Sequence, residues 1–142
     1  MVLKILVSLL VLGLCGVSHS ANFTVTNTND SGAGSFRQAI LSSNATVPTP
    51  PTGRNIIIFD IPVNPMFMFP PIIGPTSPLP DITRRVLIDA STNQTTGRAG
   101  ISGANAGMDT DGLRIVAPAE RCTIRGLMIF GFLGNGSERW YR

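Results

Sequence analysis

The chain is poor in the side chains that most enzymes work with. Its one histidine is His19 and its one lysine is Lys4, and both lie in an apolar N-terminal leader. Lys4 gives that leader a positive start. Ile5 to Val17 is an apolar run of about 13 residues, short of the roughly 20 that a bilayer span requires. Ser18-His19-Ser20 then supplies small residues ahead of a cut, so residues 1–20 are expected to be a signal peptide cleaved after Ser20. Two alternatives are an uncleaved anchor and a lipoprotein anchor at Cys15, where Leu14 departs from the small residue such signals carry. Export would leave no histidine base, no Ser-His-Asp triad, no Cys-His pair and no lysine Schiff base. It would also remove the imidazoles of most zinc sites. Ten arginines would face 8 acidic residues, a net charge of +2 spread along the sequence. That is too small and too dispersed to argue for nucleic acid or an anionic membrane as a partner, and no membrane span is expected after cleavage. Cys122 would be the one cysteine left, which excludes an intramolecular disulfide. In its apolar setting it is expected to be a buried core thiol, the alternative being a reactive thiolate.

What the chain does have is glycine, proline and short apolar strands. Gly112-Leu113-Arg114-Ile115 is echoed by Gly126-Leu127-Met128-Ile129, and Cys122-Thr123-Ile124 runs into the second block. Ile56-Ile57-Ile58-Phe59, Val86-Leu87-Ile88 and Ile101-Ser102-Gly103 have the same texture. Short strands divided by glycine and polar turns suit a chain that coils and stacks on itself. Phe23-Thr24-Val25-Thr26 alternates as a strand does, and 27–32 is a turn cluster. One helix is expected after it. Ser35 is a good N-cap with Gln38 three residues on, a capping box, and Phe36, Ala39 and Ile40 share one face. The helix should end at Asn44, before the prolines that follow, and cover the open end of the first coil. Asn55 to Ile61 is expected to be a strand buried on both faces, stopped by Pro62. Residues 62–81 are expected to be irregular, with Met66-Phe67-Met68-Phe69 in a loop packed over the coil or facing a lipid or partner. Further strands are expected at Arg85 to Asp89, Gly100 to Ser102, Leu113 to Val116 and Cys122 to Phe132.

The order of these pieces resembles the N-terminal part of secreted bacterial right-handed parallel β-helix proteins, the pectin-lyase-like group with a CSLREA-type opening. There a Thr-Val-Thr strand leads through an Asn/Asp turn into Gly-Ser-Leu-Arg-Gln/Glu-Ala-Ile. Here Phe23-Thr24-Val25-Thr26 leads through Asn29-Asp30 into Gly34-Ser35-Phe36-Arg37-Gln38-Ala39-Ile40, with Phe36 for leucine and no cysteine. Ile58-Phe59-Asp60-Ile61-Pro62, Leu79-Pro80-Asp81-Ile82-Thr83, Val86-Leu87-Ile88-Asp89-Ala90 and Ile124-Arg125-Gly126-Leu127-Met128-Ile129-Phe130-Gly131-Phe132 look like the later strands. The resemblance implies an all-β, right-handed parallel β-helix of few, incomplete coils, with a capping strand and a short α-helix. It implies a cap over 21–51, coils over 52–136 and an atypical tail over 137–142, where this group adds more coils. Trp140 and Tyr141 in that tail are a sugar-stacking pair or part of an aberrant end.

For chemistry, Asp109-Thr110-Asp111-Gly112 is the best candidate. Carboxylates two residues apart share a face of an extended segment, and paired carboxylates serve glycoside hydrolysis. The segment looks like the Asn-Thr-Asp-Gly of polygalacturonases, with Asp109 for asparagine and without that family's other motifs. Asp109 and Asp111 are also weak calcium ligands. Lyases of this fold use an arginine base beside calcium, which makes Arg114 a third candidate. The competing reading is a polar turn before a strand, with Arg114 solvated. Asn22, Asn29, Asn44, Asn93 and Asn135 head Asn-x-Ser/Thr patterns, which are glycan acceptors in a eukaryotic secretory pathway or asparagine ladders in stacked turns. The leading expectation is a secreted or surface β-helix module, structural, adhesive or carbohydrate-binding, and the N-terminal part of a longer protein. The competing one is a polysaccharide hydrolase or lyase, and a third is a chain with no independent function. N-terminal sequencing of the exported product checks the leader: Ala21 is the expected first residue, and an intact Met1 would refute cleavage.

Overall fold

A computed structural model describes residues 20–48, 53–63, 66 and 69–134. Residues 1–19 of the expected signal peptide, the 137–142 tail and Asn135 lie outside the described residues. The architecture is mostly β. Two parallel sheets are built from β1 (Asn22–Val25), β2 (Asn55–Phe59), β3 (Ile72–Ile73), β4 (Val86–Asp89), β5 (Ala99–Ser102), β6 (Thr123–Arg125) and β7 (Leu127–Phe130). One α-helix, α1 (Phe36–Ala45), and one 3-10 turn, Ala90–Thr92, complete the regular structure among the described residues. The larger sheet has the order β1-β2-β4-β6 and the smaller β3-β5-β7. An isolated parallel bridge joins Ile82 to Ile115. The chain therefore goes from the larger sheet to the smaller sheet to the bridge line, and repeats that order. In the first pass α1 stands in the sequence place of a small-sheet strand.

Register puts like residues over like. Phe23, Ile57, Ile88 and Ile124 follow one another across the larger sheet. Ile73, Ile101 and Ile129 do so across the smaller one. Apart from Phe23 and Ile129, which pack against its edge, these side chains lie in one buried core with Val25, Phe36, Ile40 and Phe59. Burying each isoleucine is worth about 1.5–3 kcal/mol.

The helix begins and ends for local reasons. Ser35 is extended (φ −77°, ψ 156°), and its hydroxyl oxygen accepts from the Gln38 N–H at 3.2 Å. The reciprocal half of the expected capping box is not formed. The Ser35 N–H goes to the Gly32 carbonyl and the Gln38 side chain to Ser42. Phe36, Ala39 and Ile40 are buried as their spacing predicts, and the Phe36 ring lies 5.4 Å from that of Phe59. At the other end the buried Asn55 of β2 donates to the carbonyls of Ser43 and Thr46, both at 2.8 Å, and so ties the helix to the sheet.

Several expectations are corrected. β2 ends at Phe59 and is buried on one face only, with Ile56 and Ile58 half-buried on the other. The stretch 62–81 holds β3, whose two residues pair with Gly100 and Ile101. Met66 is 82% exposed and Phe69 is 74% exposed, so these two do not pack over the sheets; Phe67 and Met68 lie outside the described residues. Leu113 to Val116 is not a strand and contributes only the bridge at Ile115. Cys122 to Phe132 is two strands in different sheets, hinged at Gly126. Gly126 has φ +63°, and a Cβ there would lie 2.6 Å from the Ser91 backbone nitrogen, so the corner requires glycine.

Arg37 closes the first pass onto the second. Its guanidinium pairs with the Asp30 carboxylate at 2.7 Å and donates to the carbonyls of Ser77 (3.0 Å) and Pro78 (2.6 Å). Thr76 donates to the other Asp30 oxygen at 2.6 Å. The Thr76 hydroxyl and the Arg37 guanidinium hold the Asp30 carboxyl below its ordinary value of 3.8. A lowered carboxyl stabilises the fold fully above the ordinary value and loses that contribution as pH falls through the folded one. Asp30→Asn should therefore cost about 1–2 kcal/mol near pH 6. That deficit should shrink in acid, below 3.8. Urea titrations of both proteins across this range check it, and a deficit that stays constant with pH would refute it.

Candidate functional site

Thr110 is the anchored residue of the Asp109-Thr110-Asp111-Gly112 segment. It is 4% exposed, and its hydroxyl lies 3.2 Å from the Ala106 carbonyl and 3.3 Å from that of Met108. Its own carbonyl accepts from the Gly134 N–H at 3.1 Å. Asp109 has φ +56°, the left-handed region that aspartate tolerates better than most residues. The segment is therefore a turn, and the strand alternation that would align the two carboxylates does not operate. Asp109 and Asp111 are both exposed. Gly112 is small because the last pass packs on it: a Cβ there would lie 3.3 Å from the Phe132 ring and closer still to Ile129.

Arg114 is not gathered with the two aspartates. Its guanidinium pairs with Asp81 at 2.9 Å, and both side chains are well exposed. Such a surface pair contributes little stability, about 0–1 kcal/mol. The Arg114 backbone matters more, because its carbonyl accepts the Ile82 N–H at 2.8 Å and so forms the bridge. Among the described residues no three His, Cys, Asp or Glu side chains converge as a metal site would.

Cys122 lies one residue ahead of β6, half-buried and packed against the core. Its thiol faces the carbonyls of Ala119 (3.4 Å) and Arg84 (3.7 Å). Burial pushes the thiol above its ordinary value, which disfavours the thiolate.

The asparagines divide by environment. Asn22 and Asn29 are exposed. Asn44 donates to the Asp81 carbonyl at 2.7 Å and accepts from the Thr83 N–H at 3.0 Å. Asn93 is 2% exposed and donates to the Arg98 carbonyl, so a glycan on its amide is incompatible with this conformation. These bonds run to backbone groups, not from asparagine to asparagine as a ladder would.

Sequence reasoning missed the parts of Asp30 and Asn55. A polar residue heading the apolar run 55–61 was the available signal for Asn55. No protein family, curated protein or solved structure matches the chain. No helix among the described residues is long and apolar enough to cross a membrane.

The geometry ranks substitutions differently from a catalytic reading. Gly112→Ala should destabilise by about 1–3 kcal/mol through overpacking. Asp111→Asn should change stability by less than about 0.5 kcal/mol. Thermal unfolding of the two variants checks this, and equal effects would refute it.

Proposed function

We propose that this chain is a secreted or cell-surface module with a structural or adhesive, carbohydrate-binding role, built as a right-handed parallel β-helix. The observation that carries the architecture is the repeated visiting order: larger sheet, smaller sheet, bridge. Parallel neighbours joined by a crossover within one sheet are right-handed in about 98% of cases, which supports the hand. The position of α1 against β1 and β2, with Asn55 bonded to its last turn, supports the reading of 21–51 as a cap.

The chain is proposed as the N-terminal part of a longer protein. Among the described residues β6 and β7 each have a strand partner on one side only. Open edges of this kind recruit further strands. In the absence of converging catalytic groups in the 109–114 segment, the module reading is preferred to polysaccharide hydrolysis or lysis. Fold by itself supports neither activity.

The test is to pass the exported protein over immobilised polysaccharides and to assay the eluates for new reducing ends. Retention without cleavage is expected. Cleavage that Asp111→Asn abolishes would replace this reading with the hydrolase.

A further inference from the structure

The joint between α1 and β2 buries two polar atoms that no described residue satisfies. Asn55 is fully buried and Ser43 is 2% exposed. Neither the Asn55 Oδ1 nor the Ser43 Oγ has a hydrogen-bond partner. Polar groups so placed in a protein interior are met by ordered internal water where two or more of them converge.

The neighbours fix which way the Asn55 amide is turned. Its Nδ2 donates to the carbonyls of Ser43 and Thr46, both at 2.8 Å. Turned over, the amide would set its oxygen against those two carbonyls, acceptor against acceptor. The nitrogen therefore stays on the carbonyls, and the Oδ1 keeps its lone pairs for another donor. The other donors of the joint are already engaged. The Thr46 N–H goes to the Ser43 carbonyl at 3.2 Å, and the Thr46 hydroxyl goes to the Ser42 carbonyl at 2.9 Å. The Asn55 N–H goes to the Arg85 carbonyl at 3.0 Å.

The Ser43 hydroxyl remains. A serine in a helix commonly bonds back to a carbonyl of the preceding turn, but this one bonds neither there nor to Asn55. The two side chains belong to one contact all the same, because the Asn55 amide holds the Ser43 backbone. A buried acceptor and a buried donor at one contact match the two sides of a water molecule, which donates to the first and accepts from the second. Two neutral oxygens are too few to hold a hard cation.

We infer that one water molecule is bound inside the α1–β2 joint, donating to the Asn55 Oδ1 and accepting from the Ser43 hydroxyl. It completes the polar fastening between helix and sheet. The inference does not depend on the function proposed above.

The test is a high-resolution crystal structure of the exported full chain, paired with NMR cross-relaxation between water and the Asn55 side-chain amide protons. The crystal should show an ordered water within about 3.2 Å of both atoms. In solution the amide protons should give water cross-peaks with the sign of a molecule that tumbles with the protein. Ser43→Ala should lose both the density and the cross-peaks, since a water left with Asn55 alone keeps too few partners to be held. The crystal separates bound water from exchange through the hydroxyl, which cross-relaxation alone does not. A parent crystal without this water, a protein donor bonded directly to the Asn55 Oδ1, or unchanged density in Ser43→Ala would overturn the inference.

Discussion

The isoleucine columns are the constraint on which the rest depends. Ile57, Ile88 and Ile124 repeat in register across one sheet, and Ile73, Ile101 and Ile129 across the other. A slip of one residue would turn each strand's inward set outward, so burial fixes the register as well as the stability. Everything else inherits that alignment. Gly126 meets Ser91 because Ile124 sits over Ile88. Gly112 meets Phe132 because the last pass lies on the one before it.

The two ends of the stack are treated differently. At the start α1 supplies Phe36 and Ile40 to the core, and β2 returns Asn55 to the carbonyls of the helix's last turn. Arg37 adds a polar fastening to the loop before Ile82. At the other end Ile129 and Phe132 are only partly buried against the core. One end is covered by the helix, whereas at the other, among the described residues, β6 and β7 have a strand partner on one side only.

Much of this was legible in the residues. Alternation marked β1, period and cap marked α1, and the runs at 55–61, 85–89 and 100–102 marked strands. β3 was hidden because two residues amid prolines carry no period. The 113–116 strand was over-read, since its apolar spacing matches β7 but its backbone reaches only one bridge. The shared strand face expected for Asp109 and Asp111 is replaced by a turn, set by a dihedral angle at Asp109 that composition cannot reveal. Arg37 was visible in its motif, but its partners at residues 76–78 lie some forty residues on, beyond any local signal.

The pairing of each strand with those of the passes before and after it has a consequence for how the molecule forms. A chain delivered N-terminus first presents β1 and α1, then β2, which completes the contacts between them. β4, β5, β6 and β7 each find their template already in place, whereas β3 waits for β5. Assembly is therefore vectorial: the closed end acts as a seed, and growth is directed toward the β6 and β7 edges.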